Sequence, residues 1–268
     1  LSAACRPPAL RLTGMARIAG FDWVPAPVSG LPYRDDDGAW KILWHSTETP
    51  PRPGAAAALS RIHRNPPQLW VDVYNRERVQ GIDTSFAGRA LKASPDVETN
   101  RDRVVQIELI GYAAQMHLLT DVQLDWLATA VVRPIIAHHP VPNRYLVCQK
   151  IGEGGNTASP PSKIRLSAPA WDNYSGHLGH QHAPRPNAHL DPGGLNLERI
   201  CRTAYDGAPT ITPGDEDVSY SKWTEADKRA FWADFKVFGA PVITGSQVAS
   251  TADKQTNLGD VINVIKGS

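Results

Sequence analysis

Apolar positions along the chain fall into two rhythms. Residues 40–44 (WKILW) form a short apolar run that ends against His45, and residues 69–74 (LWVDVY) alternate as a half-buried strand does. Residues 104–110 (VVQIELI) are β-branched and apolar apart from Gln106 and Glu108. Short runs of this kind predict three strands. Gln106 and Glu108 are two residues apart and so share one strand face, where a core strand should be oily.

Between and beyond these runs the spacing is helical. Residues 55–64 are alanine-rich, and residues 120–137 open with Thr120 and Gln123 at the spacing of a capping box. Leu124, Leu127 and Val131 follow one face of that second helix. Pro134 is expected to bend or end it, because proline lacks the backbone donor. Leu197, Ile200, Cys201 and Ala204 mark the face of a later helix that closes the domain, which makes Cys201 a small core residue rather than a ligand. Strands alternating with helices predict an α/β fold with helices covering a central sheet.

The pattern also divides the chain. Residues 207–219 (GAPTITPGDEDVS) are polar and rich in Pro and Gly, and Phe231, Phe235 and Phe238 beyond them recur at helical spacing. The expected organisation is a folded domain over 15–206, a linker over 207–221 and a short, mostly helical C-terminal tail over 222–268. Met15 opens MARIAGFDWVP just before the first structured segment, so residues 1–14 are expected to be a non-native or disordered leader. No internal repeat occurs.

Composition narrows the function. The chain has 268 residues and a net charge of +1 from 28 basic and 27 acidic residues. That balance excludes a nucleic-acid binder, which needs clustered Lys and Arg to displace counterions. No run approaches the ~18 apolar residues of a membrane span, so none is expected. Cys5, Cys148 and Cys201 are widely spaced and odd in number, which fits synthesis in a reducing cytoplasm better than a disulfide framework.

Candidate chemistry sits in two places. His45 follows the first strand and opens HSTE, while residues 179–194 (GHQHAPRPNAHLDPGG) carry His180, His182, His189 and Asp191. Imidazole and carboxylate are good zinc ligands, and catalytic zinc takes three protein groups and leaves a fourth position open. Asp191 precedes Pro192, which favours an extended backbone, and Gly193 and Gly194 let the chain turn away. Spacing alone leaves the choice between His180 and His182 open, and histidines also cap and pack. For Glu108 the plain alternative is an ion pair with a nearby Arg, since a buried unpaired carboxylate is costly.

HSTE after an apolar strand, ETNR followed by VVQIELIG, and GHQHAPRPNAHLDPG together resemble the type 2 N-acetylmuramoyl-L-alanine amidase family of phage endolysins. A phage lysozyme, the bacterial recycling amidase and the peptidoglycan recognition proteins belong to the same family. The resemblance covers about residues 22–205 and is nearest to endolysins of actinobacterial phages.

It implies a central mixed β-sheet flanked by helices, with Zn2+ held by His45, His180 and Asp191. It further implies Glu108 as the catalytic carboxylate and His189 as a group that steadies the oxyanion. Gln68, Thr47 and His182 are the expected substrate contacts. Relatives carry a Tyr on the second strand near the metal, for which the candidate positions here are Gln68 and Leu69. The implied substrate is peptidoglycan, cut between muramic acid and L-alanine by an enzyme that waits in the host cytoplasm until a holin opens the membrane; the oligomeric state is not implied, and a monomer is the default expectation. The tail at 222–268 would then dock on the wall, with packing on the folded domain or self-association as the plain alternatives. A non-catalytic peptidoglycan-binding module and a recycling amidase are the two rival readings.

Overall fold

The computed structural model describes residues 16–34, 40–157 and 163–206. The expected leader, linker and C-terminal tail lie outside the described residues. In chain order the strands are β1 (Asp22–Trp23), β2 (Leu31–Pro32), β3 (Lys41–Ser46), β4 (Leu69–Asp72), β5 (Glu77–Gln80), β6 (Phe86–Ala87), β7 (Val104–Leu109) and β8 (Gly176–Gly179). Six of them form one sheet in the order β1-β5-β4-β7-β3-β8. Strands β4, β7, β3 and β8 run parallel, and β5 lies antiparallel to β4. The sheet is therefore mixed, and β2 pairs with β6 apart from it.

Register sorts the side chains onto two faces. Ile42, Trp44, Leu69, Val71, Val105, Ile107 and Leu109 point to one face and join a single buried cluster. Each such side chain contributes roughly 1.5–3 kcal/mol by leaving water. A helical layer covers them: α2 (Asp121–Trp126), a π-helical turn (Leu127–Val132), α3 (Arg133–Ile136) and α5 (Leu197–Tyr205). Ile200 and Ala204 of α5 join that core, and Cys201 is buried as expected.

Thr120 caps α2 in a full capping box with Gln123. Pro134 does not end the helix where it falls. The chain passes into a π turn just before it, and a π turn relaxes the i→i−4 ladder in which proline has no donor to offer. The helical run then continues to Ile136.

The opposite face is mixed in character. Its apolar parts are filled by Leu43, Val104, Leu178 and Trp171 of α4 (Ala168–Asp172), and by Trp70 packed on Ala55, Ala56 and Leu59 of α1 (Ala55–Ile62). The rest is polar and buried. At the start of β3 the Lys41 ammonium, fully buried, donates to Asp102 Oδ2 at 2.7 Å. One layer further along, Gln68 donates to Tyr33 Oη, Phe86 O and Val104 O and accepts from Gln106 N. The Gln106 amide in turn accepts from Ala90 N and donates to Asn100 Oδ1. The polar residue on β7 that first looked out of place is thus the centre of a satisfied network, as buried amides must be. The third layer of this face holds His45 and Glu108.

Candidate metal centre

In open α/β sheets the C-terminal edge of the parallel strands is where loops gather and ligands bind. His45 stands at that edge, inside β3 rather than after it as the apolar run suggests, because β3 extends to Ser46. Register places Glu108 of β7 directly beside it. Trp44 pairs with Gly179 of β8, so the next residue on that side, His180, lies level with His45 as a short 3-10 turn begins. Asp191 comes in from the loop beyond.

Three side chains converge here. His45 Nδ1 and His180 Nδ1 face each other at 2.8 Å. Asp191 Oδ2 is 3.6 Å from His45 Nδ1, and its Oδ1 is 3.4 Å from His180 Nδ1. Among the described residues these three offer ligand atoms that all lie within 4.8 Å of one another, and all three residues are buried. A tetrahedral ion with bonds of about 2.0–2.1 Å would separate its ligand atoms by about 3.3 Å. The observed spacings bracket that value. Two imidazoles and one carboxylate are also a donor set that catalytic zinc uses, so the residues fit a zinc ion.

Burial by itself would raise the Asp191 carboxyl, but the neighbouring His180, His45 and His189 outweigh it and hold Asp191 well below the usual carboxylate range. The Ser46 amide adds a hydrogen bond to Asp191 Oδ2 at 3.2 Å. His189 stacks on His180 with ring centroids 4.2 Å apart and 13° between planes. It is 29% exposed, and its Nδ1 is 3.5 Å from Asp191 Oδ1. His189 therefore borders the three converging groups and remains open to solvent.

The other expected site residues are placed differently. His182 is two residues from His180 and just as buried, but its ring is fully engaged with backbone. Gly179 N donates to its Nδ1 at 3.0 Å, so the proton sits on Nε2, which donates to Val147 O at 3.1 Å. Burial, opposed by those two bonds, pushes its pKa down to about 4. His182 is a neutral pin between β8 and the segment at Val147, and it stands outside the cluster of His45, His180 and Asp191.

Gln68 lies level with Gln106, one layer below Glu108, and its amide is committed to the network described above. The β4 residue level with Glu108 is Trp70, rather than Gln68 or Leu69. Thr47 is at the edge of the site, but its N–H donates to Leu109 O and its hydroxyl accepts from Gly111 N.

One residue within HSTE carries more than the sequence suggests. Glu48 adopts a left-handed backbone, φ 54°, and its Oε1 accepts from the Ser46 hydroxyl at 2.7 Å and from Ala113 N at 2.8 Å. Burial of its carboxyl, countered by those two hydrogen bonds and reinforced by Asp191 and Glu108, pushes its pKa up to about 7. An acidic residue three positions after a candidate ligand was the available signal.

Comparison of the sequence with models of protein families gives no match, and comparison with curated proteins gives none. Among solved structures, a selenomethionine derivative of AmpD is similar at 19% identity and a TM-score of 0.45, over 70% of this chain and 96% of that one. The Staphylococcus aureus hydrolase AmiA, solved with its ligand, is similar at 11% identity and a TM-score of 0.38, over 70% and 85%. Neither likeness assigns a residue or an activity to this chain.

Proposed function

We propose that the chain is a zinc-dependent N-acetylmuramoyl-L-alanine amidase acting on peptidoglycan, in the role of a phage endolysin. The observation that carries the reading is the convergence of His45, His180 and Asp191, from three separate segments, beside Glu108 on the neighbouring strand. The motifs HSTE, QIELIG and GHQHAPRPNAHLDPG, which resemble that amidase family, point to the same four residues.

Zinc held by His45, His180 and Asp191 would supply a Lewis acid that makes water nucleophilic near neutral pH. Glu108 is the general base in this reading. It takes a proton from the attacking water and returns it to the alanine nitrogen as the amide bond to the muramic lactyl group breaks. His189, at the open side of the site, donates to the oxyanion that forms at the lactyl carbonyl. His189 stacks on His180, and its Nδ1 lies 3.5 Å from Asp191 Oδ1, so it stands against the ligand set. The enzyme would wait in the host cytoplasm and reach the wall after holin action, with the tail at 222–268 as a wall-docking element.

The test measures bound zinc and the release of new alanine amino groups from purified actinobacterial walls, alongside soluble muropeptides. His180→Ala should lose both metal and activity. Glu108→Ala should keep the metal and lose turnover by about 10²- to 10⁴-fold. Cleavage of soluble fragments alone would transfer the proposal to a recycling amidase. A wild-type protein that binds walls and frees no alanine would leave a binding module instead.

A further inference from the structure

Segment 46–49 connects the strand ends of the site more extensively than a simple turn requires. Ser46 N donates to Asp191 Oδ2. Thr47 N donates to Leu109 O, which prolongs the pairing of β3 with β7 by one residue beyond Glu108. Glu48 then reaches across 65 residues of sequence to Ala113 N, the start of the 3-10 turn Ala113–Leu118.

Ala113 closes the circuit. Its carbonyl oxygen lies only 1.9 Å from where a Cβ would stand on Gly193, a residue with φ 62° that follows Asp191 by two. The backbones at 113 and 193 thus touch in a way that only glycine permits. Going round, His45 leads to Ser46 and Glu48, Glu48 holds Ala113, Ala113 abuts Gly193, and Asp191 returns to Ser46 N. The loops after β3, β7 and β8 are joined in one ring around the three converging ligands.

We propose that Glu48 is a positioning residue: its carboxylate sets the separation between the His45–Asp191 pair on one side and Glu108 on the other. This rests on the metal-dependent amidase reading above and assigns Glu48 no contact with substrate. Two observations favour a dedicated role. A non-glycine residue in the left-handed region is uncommon and persists where surrounding structure over-determines it. Here the over-determination is the pair of bonds to Ser46 Oγ and Ala113 N, which turn the carboxyl inward although the residue stands at the exposed rim. Only the acceptor at Oε1 makes those two bonds, and a neutral amide can supply the same acceptor.

The experiment compares the zinc-loaded full chain with Glu48→Gly and Glu48→Gln. Glycine suits the left-handed backbone, so this variant removes the carboxyl without adding strain and should fold. Zinc affinity is read by competition with a chromophoric chelator, and kcat and KM on a defined muropeptide are read separately. Glu48→Gly should weaken zinc binding or lower kcat by about 10- to 100-fold, with KM changed less than about threefold. Glu48→Gln should restore both to within about threefold of wild type.

Wild-type zinc affinity and kcat in Glu48→Gly would overturn the proposal. So would a Gln variant as impaired as the Gly variant, since charge rather than geometry would then be at work. If wild type binds zinc but cleaves no muropeptide, the amidase reading fails, and the affinity series alone still decides the role of Glu48.

Discussion

His177 on β8 provides a test of how this interior handles protons. The Tyr205 hydroxyl donates to Val141 O at 2.8 Å, so its other contact, with His177 Nε2 at 3.0 Å, requires His177 to carry its proton on Nε2. The second ring nitrogen, Nδ1, is buried with no hydrogen-bond partner among the described residues. Protonating it would create a buried charge and an N–H with nothing to receive it. Burial accordingly pushes the pKa of His177 down to about 3.

The unfolded chain takes up this proton near pH 6.5, whereas the folded chain refuses it until about pH 3. The folded pKa is the lower one, and histidine gains charge on protonation. Stability from this group is therefore fully present above about pH 6.5 and is lost as pH falls towards 3. Between pH 7.5 and 5.0 the loss amounts to about 2 kcal/mol. His177→Leu removes the titration and the bond to Tyr205, while leaving Tyr205 bonded to Val141. The variant should be less stable than wild type by about 1 kcal/mol at pH 7.5 and more stable by a similar amount at pH 5.0. Denaturant unfolding in chelator at both pH values reads the difference, and the carboxylates common to both proteins cancel. A stability gap that does not change with pH would refute the account.

Two further outcomes separate structure from chemistry. His182→Ala strips partners from Gly179 N and Val147 O, so it should cost about 2–4 kcal/mol in thermal or denaturant unfolding. The folded fraction should still bind zinc as wild type does, unlike His180→Ala. Lys41→Met should destabilise by about 3–5 kcal/mol, because it removes the ammonium that pairs with the buried Asp102 carboxylate at 2.7 Å. The double variant Lys41→Met with Asp102→Leu should recover most of that loss in the same assay.

Sequence alone reached the elements whose cause is local. The three central strands follow from runs of β-branched and aromatic residues, and their ends moved by one to two residues in the structure. The start of α2 follows from Thr120 and Gln123, because a capping box is made within four residues. Glu108 stood out for a similar reason: a carboxylate in an apolar strand must have a partner or a purpose.

Tertiary structure decided whatever depends on a neighbour distant in the chain. His180 and His182 are equivalent by composition and spacing. They differ only because the chain turns into a 3-10 helix at His180, which aims one ring at His45 and the other back at Gly179 and Val147. The register of β4 against β7 puts Gln68 level with Gln106, one layer below Glu108. Pro134 looked like a helix end until a π turn absorbed the missing donor. Glu48 could not be assigned from HSTE, since its role depends on Ala113, 65 residues away. Local hydrogen bonding and side-chain periodicity are written within a few residues. Which groups finally share a site depends on strand order and loop closure, and these are settled only when the whole sheet packs.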